Sequence, residues 1–152
     1  MTHIHFRELL PNEINSLYVA LKNSATENNI GDRFIHTEEY LNQSLFIKKN
    51  CSSLVAELNG ELIAYLLYSS LHNNFMLHAK PGVYMHALYV NQPHRRKKLA
   101  TQLIEKLIDL QGRDNIGRIE FALLVNNQVG ELFLKSLKFK EIDFAKQMRL
   151  IL

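Results

Sequence analysis

The sequence predicts an α/β (α+β) domain, a mixed central sheet of about six to seven strands flanked by helices on both faces. Three observations carry that expectation. The apolar periodicity switches between the strand and helix repeats in the order βααβββαβαββ. Asn59-Gly60 separates two apolar runs and is the strongest short hairpin signal a sequence offers. Finally, a strand ending at Val90 is followed by a proline, the four consecutive cations Arg95, Arg96, Lys97 and Lys98, and an amphipathic helix.

Ile4 and Phe6 alternate with His3, His5 and Arg7 as a first strand, and Pro11-Asn12 breaks it before Ile14, Leu17 and Leu21 recur at helical spacing. After Asn28-Asn29 and Gly31-Asp32, Thr37 can cap a second helix with Glu38 and Glu39 in its first turn and Tyr40, Leu41 and Leu45 on its apolar face. Leu54–Leu58 and Glu61–Tyr68 form the hairpin around Asn59-Gly60. Ser69–Gly82, with His72-Asn73-Asn74 and Pro81-Gly82, reads as a loop or irregular hairpin tip leading to the strand Val83–Val90. Leu99, Leu103, Ile104, Leu107 and Ile108 make the stripe of the next helix, which runs to Leu110 and which Gly112 can close. Ile119–Val125 is apolar on alternate residues of both sets, the pattern of a strand covered on both faces. Val129, Leu132, Phe133 and Ser136 repeat the helical spacing, and Phe139–Phe144 and Lys146–Leu152 finish as strands.

A chain of 152 residues with 47% hydrophobic content suits one domain, residues 1–152, with a sizeable core. The net charge of +3 is mild and much of it lies at Arg95–Lys98, which favours a local anion site over nucleic-acid coating. One cysteine, Cys51, allows no intrachain disulfide, and no signal-like segment precedes residue 30, so a cytoplasmic location is expected, with no membrane partner. The histidines show no metal-ligand spacing, and no metal is expected.

The cationic turn is the informative feature. Most charge runs are solvated surface, but cations at a helix N-terminus oppose the helix dipole, so a ligand of negative charge is the better reading. A pyrophosphate or 3′-phosphate suits the unpaired N–H groups of such a terminus. No aromatic residue interleaves with the cations, which argues against single-stranded nucleic acid.

Two stretches carry a resemblance. Arg95-Arg96-Lys97-Lys98-Leu99-Ala100 resembles the cofactor loop of the GNAT superfamily of acetyl-CoA-dependent N-acetyltransferases, matching at Arg95 and Ala100, with Lys98 in the place of the central glycine. Asn127, Leu137 and Phe139 match the family's second motif, in which Leu134 stands where an acid Tyr is usual and Lys138 where Gly is. The resemblance covers Leu54 to Leu152, and the first fifty residues by element order. From Thr37 to Ile104 the chain looks most like the diamine acetyltransferases.

The resemblance implies a GNAT fold and transfer of acetyl from acetyl-CoA to a primary amine, of a polyamine-like small molecule or a peptide, by direct attack. It implies cofactor contacts at Leu88, Tyr89, Val90, Arg95, Arg96, Lys97, Lys98, Leu99, Ala100, Thr101, Asn127 and Leu134, those at Leu88–Val90 through backbone N–H groups. His86 falls where diamine acetyltransferases place a base, and an imidazole of reference pKa about 6.5 suits that work; a histidine satisfied by a neighbour is the equal alternative. With Leu134 unable to donate a proton, Tyr84, Tyr89 or solvent would serve as acid. Lys98 either occludes phosphate or reaches it with its ammonium. Asn127 is equally natural as a helix N-cap. Glu27, Asp32, Glu38 and Glu39 lie in the segment that forms the substrate lip in relatives, although a solvated helix start is the better reading of Glu38 and Glu39, and Tyr65, Tyr68 and Phe75 are wall or core. A homodimer is compatible with the chain. The rival class is a catalytically degenerate GNAT-fold module that binds CoA, another anion or a protein partner.

Overall fold

The computed structural model describes residues 3–71, 79–142 and 148–152. Its internal packing divides into two units, residues 1–122 and 123–152.

The first unit is built on a five-stranded sheet in the order β1 (Ile4–Arg7), β2 (Ser52–Leu58), β3 (Glu61–Leu71), β4 (Gly82–Val90) and β5 (Arg118–Phe121). The first four strands pair antiparallel, and β5 joins β4 in parallel after a helical crossover. The hairpin between β2 and β3 turns at Asn59 (φ 53°) and Gly60 (φ 84°), the two left-handed residues that let a tight turn follow the strand twist.

Helices cover both faces. On one, α1 (Ile14–Glu27) and α2 (Glu38–Asn42), which runs on as a wide turn over Gln43–Ile47, bury Ile14, Leu17, Leu21, Leu41 and Leu45 against Val55, Tyr65, Leu67 and Tyr89. The alternate residues Leu54, Ala56, Ala64 and Leu66 are buried on the other face, where α3 (Leu99–Gln111) packs with Leu99, Leu103, Ile104 and Leu107. Thr37 caps α2 as its sequence predicts, its hydroxyl accepting from the Tyr40 N–H at 3.1 Å. Tyr40 leaves the predicted apolar face and stacks on His36 instead, with ring centroids 5.1 Å apart.

The second unit contains α4 (Gln128–Ser136). Asn127 caps it, its Oδ1 accepting from the Gly130 N–H at 2.9 Å. At the other end Lys138 turns left-handed (φ 71°) while the Phe139 N–H returns to the Leu134 carbonyl at 3.1 Å.

Among the described residues the strand count is five, not the six to seven expected. Neither 139–142 nor 148–152 forms a strand, and 143–147 lie outside the described residues. Alternating side chains permit a strand without forming one, because its stability comes from a ladder partner and a buried face. Met148, Leu150 and Ile151 are all more than four-fifths exposed. Strand β5 is also shorter than the predicted Ile119–Val125 and only half-buried, because it ends the sheet order. Ser69–Leu71, expected in a loop, extends β3 and pairs with Gly82–Tyr84. His72-Asn73-Asn74 and Phe75 lie outside the described residues.

Candidate active site

The site begins at an irregularity in β4. Leu67 pairs with Ala87 and Tyr68 with Met85, so His86 is the extra residue of a β-bulge. The bulge reverses the strand's faces: Val83 and Met85 are buried outside the core beneath α1, whereas Ala87 and Tyr89 belong to that core. Beside it the sheet opens. The last parallel pair is Met85 with Phe121, yet β4 continues to Val90, so from His86 onward its far edge has no strand partner among the described residues. A bulge that bends β4 and sharpens its twist explains why the two strands part there. Backbone donors on such an edge can serve a substrate carbonyl or amide.

His86 is exposed at this opening. Its Nε2 lies 2.7 Å from Ser69 Oγ, and its ring meets Tyr84 edge-on with centroids 5.0 Å apart, contacts that orient the imidazole. Partial desolvation holds its pKa below the ordinary histidine value, so the ring is neutral and able to accept a proton at neutral pH.

Beyond Val90 the chain is pinned by Asn91, whose N–H donates to the Ile63 carbonyl at 2.9 Å and whose Nδ2 donates to the Leu62 carbonyl at 3.0 Å. A short turn over Gln92–His94, started by Pro93, leads to Arg95. Arg96 (φ 66°) and Lys98 (φ 63°) are then left-handed, and α3 starts at Leu99. A left-handed residue with a Cβ costs about 1–2 kcal/mol. Lys98 thus keeps the backbone shape of a glycine loop, with its N–H available in the turn. The first turn of α3 holds no acidic residue, and Lys98, a donor only, cannot cap it. Arg96, Lys97 and Lys98 are exposed around those N–H groups. Leu99 is core, so only its backbone can face a ligand, while Ala100 and Thr101 are half-buried in the same turn. This terminus suits a pyrophosphate: unpaired donors, the positive end of the dipole and three exposed cations converge on it.

Arg95 is used differently. Its guanidinium donates to both oxygens of Glu27 at 2.7 and 3.0 Å, its Nε donates to the Val90 carbonyl at 2.9 Å, and it lies 5.3 Å from the Tyr89 ring centroid. The Tyr89 hydroxyl donates to Glu27 Oε1 at 2.9 Å. Burial first, and then the Glu27 carboxylate, raise the Tyr89 pKa, which keeps the phenol protonated with its proton aimed at Glu27. Nothing in the sequence links Glu27 to Arg95, 68 residues away.

Tyr89 and Glu27 also line a cleft of about 910 Å³ that runs along α1 and past the β2–β3 turn, with Glu13, Glu61, Tyr65 and Asn91 among its walls. Of the remaining predicted lip residues, Glu38 accepts from Asn15 Nδ2 at 2.6 Å and Glu39 from Gln43 Nε2 at 3.1 Å, contacts at the start of α2. Leu88 and Val90 are half-buried opposite Leu66 and Ala64. In the second unit, Leu134 is buried and Asn127 holds the cap already described. Tyr68 is core.

Among the described residues no helix is long and apolar enough to cross a membrane. The model of the acetyltransferase (GNAT) family matches residues 15–139. No curated protein matches the chain significantly in sequence. Among solved structures, the chain is similar to a possible acetyltransferase from Clostridium difficile 630, with a TM-score of 0.78 and 16% identity over 98% of each chain. It is similar to aminoglycoside N-acetyltransferase AAC(6′)-Iy in complex with CoA, with a TM-score of 0.78 and 15% identity over 99% of this chain and 96% of that one. A ribosomal-protein-alanine N-acetyltransferase from Brucella melitensis biovar Abortus 2308 gives 0.74 and 14% over 97% and 99%. At these identities the likeness is one of fold.

Proposed function

Since the chain belongs to the acetyltransferase (GNAT) family, we propose that it transfers the acetyl group of acetyl-CoA to a primary amine by direct attack, as one acetyltransferase domain spanning residues 1–152. The observation that carries this reading is the opening of β4 from β5 at His86, followed within one turn by the left-handed basic loop at α3. The loop suits the pyrophosphate and the opening suits the thioester.

In this reading the exposed side chains of Arg96, Lys97 and Lys98 and the N–H groups of Leu99, Ala100 and Thr101 hold the phosphates, and backbone donors of Leu88–Val90 line the acyl end. Neutral His86 takes a proton from the ammonium of the acceptor, directly or through water. The freed amine nitrogen bonds to the thioester carbon and releases its second proton to solvent, the C–S bond breaks, and the electron pair leaves on sulfur. A thiolate of pKa near 8.5, as for cysteine, is a tolerable leaving group, so Tyr84 or solvent suffices to protonate it. Tyr89 is less well placed for this, its proton being directed at Glu27.

For the acceptor, we favour a small cationic amine, because the Glu61 carboxylate lines the cleft beside Tyr89, with the arginine-paired Glu13 and Glu27 also in its walls. A polyamine-like molecule fits that charge. The similar structures include enzymes named for aminoglycosides and for a ribosomal-protein alanine, so both small-molecule and peptide amines belong in the test. The experiment is steady-state acetylation across a panel of diamines, polyamines, aminoglycosides and N-terminal peptides. Turnover on a small polycationic amine, lost in His86→Ala, is the expected result. Tight acetyl-CoA binding with no turnover on any amine would replace the enzyme by a cofactor-binding module.

A further inference from the structure

We propose that Glu27, the last residue of α1, is a positioning residue for the acetyl-CoA loop: by gripping Arg95 and Tyr89 together, it holds the strained segment Arg96–Lys98 in the shape that presents its N–H groups to phosphate. The inference rests on the acetyl-transfer reading for its consequence, and on geometry for its cause.

Arg96 and Lys98 are both left-handed, a conformation that side chains with a Cβ hold only when their surroundings impose it. On the C-terminal side that constraint is α3, where the Gln102 N–H bonds to the Lys98 carbonyl at 3.0 Å. On the N-terminal side it is Arg95. Its guanidinium reaches the Glu27 carboxylate in two bonds and the end of β4 in a third, and Tyr89 completes the ring by donating to the same carboxylate. Both bonds come from one guanidinium nitrogen, Nη2, and the third, from Nε to the Val90 carbonyl, fixes the orientation of the group. Without Glu27, Arg95 keeps a single bond to Val90, and the chain entering the strained turn is free to relax.

Glu27 also determines which cations a ligand meets. It neutralises Arg95 and leaves Arg96, Lys97 and Lys98 to face the anion. Two opposed effects therefore follow from its removal. A freed Arg95 would attract phosphate more strongly, while a relaxed loop would present its donors less well. The proposal states that the second wins.

The test compares the parent with Glu27→Ala and the conservative Glu27→Gln, by amide hydrogen exchange without ligand at Arg95 and Gln102, whose N–H groups bond to the Gln92 and Lys98 carbonyls on either side of the loop, and by calorimetric titration with acetyl-CoA. Glu27 is half exposed at a helix end, so both variants should fold, and melting curves check this. Expected for Glu27→Ala are exchange about tenfold faster at those two bonded amides and an acetyl-CoA Kd about tenfold higher, with Glu27→Gln between it and the parent. In turnover, the KM for acetyl-CoA should rise while kcat holds. Unchanged exchange in the loop would overturn the proposal. So would a gain in acetyl-CoA affinity, which would make Arg95 a phosphate ligand that Glu27 restrains. A parent that binds no acetyl-CoA would defeat the acetyl-transfer reading instead, and the exchange result would still decide whether Glu27 sets the loop.

Discussion

Arg96 and Lys98 flank Lys97 with left-handed backbones of φ 66° and 63°, and Lys138 at the end of α4 has φ 71°. By the resemblance, Lys98 and Lys138 stand where the family favours glycine. Each of the three positions carries a Cβ in the region where it crowds the following carbonyl. Replacing Arg96 or Lys98 with Gly should therefore stabilise the protein. The relief of about 1–2 kcal/mol is partly offset by the greater freedom of glycine in the unfolded chain, leaving a gain of about 0.5–1 kcal/mol per site. Denaturant unfolding measures it, and a loss of stability would mean that the side chains hold the turn. Affinity for acetyl-CoA should not rise in Lys98→Gly, because the backbone shape is already present and an ammonium is lost.

His86 gives a pH signature. Its pKa lies below the ordinary value, so the neutral base is present above that pKa, and turnover should climb as pH rises through a value under 6.5 and then level off. Removing the base in His86→Ala should lower turnover by about 10²–10⁴-fold and abolish that limb of the profile. The same shift has a sign for stability. The unfolded chain binds the proton more tightly, so the contribution of the neutral ring is present above the unfolded pKa and is lost as pH falls through the folded one. Histidine replaced by Asn should lessen the loss of stability on acidification in that window.

Glu13 should show an acid dependence of its own. Arg7 donates to its two carboxylate oxygens at 2.6 and 2.9 Å, and the Leu10 N–H donates to it at 2.8 Å. The bond from Arg7, opposed in part by burial, holds its pKa below the ordinary carboxylate value. Stability from this group is present above the unfolded pKa and is lost as pH falls through the depressed one. Glu13→Gln should cost about 1–3 kcal/mol at neutral pH, and the parent and variant should converge in acid. A difference that persists at low pH would point to packing in place of charge.

What could be read from the sequence was local. Asn59-Gly60, the Thr37 cap and the stripe from Leu99 to Leu107 each announce an element through neighbours in the chain, and each element stands where it was expected. The bulge at His86 was hidden because Val83, Met85, Ala87 and Tyr89 keep one unbroken alternation, although the extra residue sends the first two and the last two to opposite faces. The pairing of Glu27 with Arg95 joins the end of α1 to the start of the basic loop, and no spacing rule connects them. The cationic run read as one anion site divides in the structure, with Arg95 turned into the fold and the other three outward. The final strands failed for the reason that alternation near an end of the chain says nothing about a partner strand.

The most direct test is a calorimetric titration of acetyl-CoA into the parent and into Arg96→Ala/Lys97→Ala, each at low and at moderate salt. Phosphate contacts at an exposed helix terminus are screened by ions, so the parent should bind with an affinity that falls as salt rises. The double variant should bind about tenfold or more weakly with a shallower salt dependence. Equal affinity and equal salt dependence in the two proteins, or no binding by the parent, would contradict the assignment of the left-handed basic loop as the acetyl-CoA site.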